Sequence, residues 1–193
     1  MRPQDGVMAT VIFVDTETGG VHEDRHSLLT VGLAAFDTRS REVTRETLVR
    51  VRHDTYHVDA PAMEVNGIDL REHHELASVP EVAANEVRAF LRFRSRRRVM
   101  LGGHNVNFDV RFLMTLLPDY HELMIGSVVD TKVVAHFLIH AGLLPKTLST
   151  RLEDLAAHFD VPIRPHDALE DARATARVYG AMLALLSGGS PSL

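Results

Sequence analysis

TVIFVDTETGG, residues 10–20, is the stretch whose reading decides the fold. Its first five residues are β-branched or apolar and read as a buried strand. Asp15 and Glu17 follow, two positions apart, so the alternation of side chains along a strand sets both carboxylates on one face. Gly19-Gly20 then break the strand. Two carboxylates facing the same way at the end of a buried strand repel each other unless a cation lies between them. Nowhere else in the chain do two acids stand one residue apart. Taken alone, the stretch reads equally well as a strand running out into an acidic turn.

The segments around it supply the rest of a sheet. LLTVGLAAFD (28–37) and VTRETLVRV (43–51) read as a second and third strand joined by short links, an antiparallel meander. Residues 52–78 read as an irregular, His-rich connection containing Pro61 and Asn66-Gly67. Val79-Pro80-Glu81 opens a helix whose inward stripe is Val82, Val87, Phe90 and Leu91. Val99–Leu101 is a short strand ending at Gly102-Gly103. A helix follows Asn107, with Phe108, Phe112, Leu113 and Leu116 on its apolar side and Pro118 as its stop. GSVVDT (126–131) is a further strand end, and Asp130 or Thr131 caps the helix closed by Gly142. LSTRLEDLAAHFDV (148–161) is an amphipathic helix with a Ser or Thr start, and a last helix runs over about 167–187. There Asp167 is the expected N-cap and Glu170 the capping-box residue. Three strands followed by strands alternating with helices predict an α/β fold: one mixed sheet, a three-strand antiparallel meander plus parallel strands, flanked by helices.

Composition narrows the class. The 193 residues suggest one domain at 10–187, with flexible ends at 1–9 and 188–193. The 45% of apolar residues is ordinary for a globular chain. With no cysteine there is no disulfide framework, thiolate metal site or cysteine nucleophile. No apolar run approaches the ~20 residues of a membrane helix, and MRPQDGVMAT lacks the core of a signal peptide. The expectation is a soluble cytoplasmic protein that does not associate with membranes. A net charge of −5 argues against broad coating of nucleic acid, although basic residues cluster locally in RFRSRRR (92–98). Those arginines read either as a solvated helix end or, through Arg96, Arg97 and Arg98, as contacts for a nucleic-acid backbone.

Two further segments can join Asp15 and Glu17. HNVNFD (104–109) supplies Asp109 just past a strand end, at the start of a helix, where the helix dipole favours a carboxylate. HDALED (166–171) supplies His166 before the final helix and Asp171 one turn into it. His104 and Asn105 also suit a structural role, bonding loose backbone at the strand end, and Asp130 suits a helix cap. Together VDTETGG, HNVNFD and HDALED resemble, in order and spacing, the three motifs of the DEDDh family of 3′–5′ exonucleases, with the likeness spanning about residues 10–185.

That resemblance implies a ribonuclease H-like fold and a metal-dependent hydrolase. It would act on 3′ ends of single-stranded DNA or RNA, DNA favoured, and release nucleoside 5′-monophosphates. It implies two divalent cations, Mg²⁺ or Mn²⁺, held by Asp15, Glu17, Asp109 and Asp171, with Asp15 shared between them and His166 as general base. Thr16, Thr18, Gly19, His104 and Asn105 are the implied substrate contacts. A DNA polymerase is a further implied partner; oligomeric state is not implied. The chain departs from the family pattern in three places: Gly19 stands where a Thr is usual, Thr30 where the second strand often carries an acid, and Asn66 where proofreading subunits often carry His. VNGIDL (65–70) is similar to a segment of ribonuclease T. The alternatives are an RNA-trimming exoribonuclease on the same scaffold, a non-catalytic accessory or nucleic-acid-binding module, and a small metal phosphohydrolase. Val21 and Leu28 are candidate wedges for a terminal base.

Overall fold

Strand β1 (Thr10–Thr18) forms because its core is Val11–Val14, side chains that fill a pleated surface on both faces. A computed structural model describes residues 10–92 and 98–188. Residues 1–9 and 189–193 of the expected tails, together with Arg96 and Arg97, lie outside the described residues. β2 (Leu28–Asp37) and β3 (Glu42–Arg50) complete the antiparallel meander, and β4 (Val99–Gly103) and β5 (Met124–Asp130) add in parallel on the other side. The sheet order is β3-β2-β1-β4-β5, the mixed arrangement expected from the chain. β1 is therefore central, paired on both edges, and its carboxylates lie past Phe13, where the pairing with β4 stops while that with β2 continues.

Helices cover both faces. On one, Ile12 and Val14 pack with the inner residues of α3 (Pro80–Leu91) and α4 (Asn107–Leu116). On the other, Val11 and Phe13 pack against Ala172 and Ala176 of the last helix. Between α4 and the last helix come α5 (Tyr120–Leu123), α6 (Thr131–His140) and α7 (Leu152–His158), the last starting after Arg151 with no side-chain cap rather than at a Ser or Thr. The last helix, α8 (Ala168–Leu186), is rich in alanine on its buried side and so lies close to the sheet. At Gly32 of β2 an added Cβ would run into the Ala168 carbonyl. This glycine is what lets the α8 N-terminus rest on β2 directly beside Asp15, its register partner on β1.

Some expectations change. Residues 52–78 are not irregular throughout: α1 (Ala60–Asn66) and α2 (Leu70–Leu76) lie there. Pro61 sits at the start of α1, where a missing N–H costs nothing, rather than acting as a breaker. Asp69 caps α2 by accepting from Arg71 and Glu72. Val82 is 46% exposed, because the inward stripe of α3 runs through Ala83, Ala84, Val87, Phe90 and Leu91. Glu170 is not the capping-box partner: its carboxylate pairs with Arg173 at 2.7 Å, while Asp167 caps α8 as expected. Leu28 is 3% exposed in the core and cannot serve as a surface wedge. Asp130 caps α6, and Gly142 follows that helix in the left-handed region at φ 75°.

Candidate active site

Three elements deliver the carboxylates. Asp15 and Glu17 share the α8 face of β1, and Asp171, in the first turn of α8, is brought to them by the approach over Gly32. Ligand oxygens of Asp15, Glu17 and Asp171 lie within 4.8 Å of one another. Asp109 arrives from the opposite layer, in the first turn of α4, and does not join that mutually close trio. Thr16, one residue along β1 and hence on the α4 face, donates its hydroxyl to Asp109 Oδ1 at 2.8 Å. Asp109 is nonetheless the strongest charged neighbour of Asp15.

The electrostatics are those of a site built for positive charge. Burial, and then repulsion from Asp109, Asp171 and Glu17, hold the Asp15 carboxyl well above its ordinary range. Burial and Asp171 push Glu17 up to about 8. Burial raises Asp109 to about 7 against the pull of the Thr16 hydrogen bond. Burial raises Asp171 to about 6, against the backbone N–H of His166, which donates to Asp171 Oδ2 at 3.0 Å. The other oxygen, Asp171 Oδ1, is buried with no hydrogen-bond partner. A buried carboxylate oxygen left unpaired beside two further carboxylates is the donor set of a hard divalent cation. These residues fit such an ion.

The other expected site residues divide. His166 is exposed on the loop entering α8, at φ 69°, tied to the cluster through its backbone. Thr18 spends its hydroxyl on the Gly20 carbonyl at 2.7 Å. Gly19 has no room for a side chain: an added Cβ would meet the His57 carbonyl, because residues 57–59 cross this turn and Asp59 N–H donates to the Gly19 carbonyl at 2.6 Å. That crossing leaves no room here for the threonine that the family usually has at this position. His104 Nδ1 lies 2.9 Å from Thr131 Oγ1, whose own proton goes to the Gly103 carbonyl, so the ring links β4 to α6. Asn105 N–H donates to the capping carboxylate of Asp130 at 3.1 Å. These two residues have the structural ties that their place at a strand end allows. Arg98 is exposed.

Two concavities flank Glu17. One, of about 500 Å³, is lined by Thr16, Thr18, Val21, Val65, Asn66 and Phe108. Val21 and Val65 are 61% and 56% exposed, so this groove has an apolar floor open to solvent. Phe108, expected among the inward residues of its helix, is half-buried and turned partly to this groove. The second, of about 240 Å³, lies on the side of Thr30, Arg50 and His166. Asn66 borders both; its amide donates to the Thr18 carbonyl at 3.1 Å and its oxygen accepts from Ile68 N–H. Sequence reading missed the groove wall from α1 because α1 itself went unread. Pro61 after Asp59 was the available signal.

Fold and site together define a class: a ribonuclease H-like sheet whose central strand carries an acidic, cation-type centre. Residues 12–179 match the family described as exonuclease. The chain belongs to that exonuclease family, within the DEDD type of 3′–5′ exonucleases. It is 27% identical over 174 residues to a PolC-type DNA polymerase III of Caldanaerobacter subterraneus subsp. tengcongensis, covering 90% of this chain and 11% of that one. A PolC-type polymerase of Thermotoga maritima is 27% identical over 172 residues, covering 89% and 12%. This chain thus spans about a ninth of the length of the curated relatives it matches. Among solved structures, exonuclease I superposes with a TM-score of 0.76 at 20% identity over 95% of this chain and 42% of the other. E. coli exonuclease I in complex with a dT13 oligonucleotide gives 0.73 at 19% identity, over 92% and 41%. Among the described residues no helix is long and apolar enough to cross a membrane.

Proposed function

We propose that this chain hydrolyses the terminal phosphodiester at the 3′ end of single-stranded nucleic acid, DNA in preference to RNA, releasing nucleoside 5′-monophosphates. The observation that carries the reading is the convergence of Asp15, Glu17 and Asp171 around an unpaired buried carboxylate oxygen, beside an open apolar groove. Asp15, Glu17, Asp171 and, from the α4 side, Asp109 would hold two divalent cations, Mg²⁺ or Mn²⁺. Bound there, such ions supply Lewis-acid stabilisation of charge on the phosphate and activation of water.

The protein's own residues do the rest. Thr16 fixes the rotamer of Asp109 through its hydroxyl. Val21, Val65 and Phe108 offer the terminal base and sugar an apolar surface for stacking and packing. Asn66 holds the two groove walls in register. His166 accepts a proton from the attacking water on an imidazole nitrogen, the role of a general base. Arg96, Arg97 and Arg98 contact the phosphate backbone and make binding salt-dependent. His104 and Asn105 act on substrate only indirectly, by fixing the loop that leads into α4.

The PolC-type relatives are DNA polymerases and the exonuclease I complex holds a DNA oligonucleotide. Both favour DNA as substrate here and a polymerase as partner. The domain carrying the activity is 10–187, in a cytoplasmic setting. The test uses 5′-labelled DNA and RNA oligonucleotides of matched sequence with Mg²⁺, Mn²⁺ or EDTA. The expected result is a ladder shortening from the 3′ end, faster on DNA and absent with EDTA. A folded protein that leaves both substrates intact with metal present would move the assignment to a non-catalytic binding module.

A further inference from the structure

The concavity beside Thr30 is unlike the apolar groove. Glu17 on β1, Thr30 on β2 and Arg50 on β3 are successive register partners, so their side chains stand in a row on one face of the sheet. All three line the cavity of about 240 Å³, with His166 at its rim. Thr30 is 6% exposed, and its hydroxyl oxygen is buried with no hydrogen-bond partner. Among the described residues no carboxylate pairs with the Arg50 guanidinium. An unpaired hydroxyl and an unpaired guanidinium converging on one cavity form a donor set in need of an anionic acceptor.

The acids bordering the cavity do not supply that acceptor. Asp69 is engaged in capping α2 and Asp167 in capping α8. Glu17 faces Asp15 and Asp171, where a bound cation would offset its charge. Glu72 lies on the exposed side of α2. An acid at position 30, which the family often has, would stand directly opposite Arg50 and pair with it. Threonine leaves that cation available.

We infer that Thr30 and Arg50 form a phosphate subsite for the strand retained after cleavage, taking the phosphate next to the scissile one. The inference rests on the hydrolytic reading above. The cavity shares Glu17 and Asn66 with the apolar groove. A strand whose last nucleotide fills the groove and whose scissile phosphate lies over the carboxylates therefore continues into this cavity.

The experiment compares kcat and KM for the wild type, Arg50→Gln and Arg50→Lys on two single-stranded DNA oligonucleotides. One is unmodified; the other carries a neutral methylphosphonate at the penultimate linkage. Removing the charge from either partner is expected to lower kcat/KM about 10-fold, chiefly through KM, as for one charge-assisted hydrogen bond. Arg50→Gln should then lose nothing more on the methylphosphonate substrate, and Arg50→Lys should recover part of the loss on the unmodified one. Independent, multiplicative losses would overturn the subsite, as would an Arg50→Gln enzyme with wild-type KM. Loss of inhibition by inorganic phosphate in Arg50→Gln, with the methylphosphonate effect intact, would assign the corner to a free anion and equally overturn it. If the wild type cleaves neither oligonucleotide, the hydrolytic reading itself fails; cleavage without coupling overturns only the subsite.

Discussion

Asp15 and Glu17 were legible from spacing alone, because two acids at i and i+2 on a strand must share a face. Asp171 could be placed near them only through the family motif. Its distance from β1 depends on a helix approach that no local pattern encodes. Thr16 illustrates the reverse case: the family resemblance implied a substrate contact, and in the fold its hydroxyl turns to the other layer and donates to Asp109. Asp15→Ala is expected to abolish hydrolysis, and His166→Ala to lower kcat about 10²-fold, measured under single-turnover conditions with saturating Mg²⁺. Near-normal turnover in either variant would remove that residue from its role. Thr16→Val should weaken Mn²⁺ binding about 10-fold, the usual scale for losing a group that orients a metal ligand, while Thr16→Ser retains it. Equal affinity in the two variants would reduce the Thr16 hydroxyl to a packing detail.

Among the elements, β1 and β2 announce themselves as β-branched and apolar runs and α8 as a long alanine-rich helix, whereas β4 and β5 show only as short strand fragments. The short helices α1 and α2 do not, since neither has a buried apolar stripe: α1 buries no side chain and α2 only His73. They matter because α1 forms a wall of the apolar groove and α2 a wall of the phosphate corner. Gly32 was equally silent, because a strand glycine signals close approach without naming what approaches. Its consequence can be tested. Gly32→Ala sets a methyl against the Ala168 carbonyl and must push α8 outward, carrying Asp171 with it. The expected cost is about 1–3 kcal/mol in denaturant unfolding, with a fall in activity beyond what instability explains. Wild-type stability would show that the close packing at this point yields freely.

At the scale of the whole molecule, the fold concentrates negative charge that it cannot neutralise by itself. A carboxyl whose folded pKa is raised binds its proton more tightly folded than unfolded. The metal-free protein therefore bears no penalty below the unfolded value near ~4 and loses stability as pH rises towards the raised Glu17 value of about 8. The midpoint of thermal unfolding without metal should fall across this window, and Mn²⁺ should restore it more at pH 8 than at pH 5. A metal-free midpoint that rises from pH 5 to pH 8 would contradict the arrangement. That these clustered carboxylates form a cation site can be checked by calorimetric titration of Mn²⁺ at pH 7. The wild type and Asp15→Asn would each be measured in two buffers of different ionisation enthalpy. The wild type should bind with release of protons, since Glu17 and Asp109 are raised to about 8 and about 7, and the variant should lose that binding. Equal binding by the two proteins, or none by the wild type, would contradict the cation site.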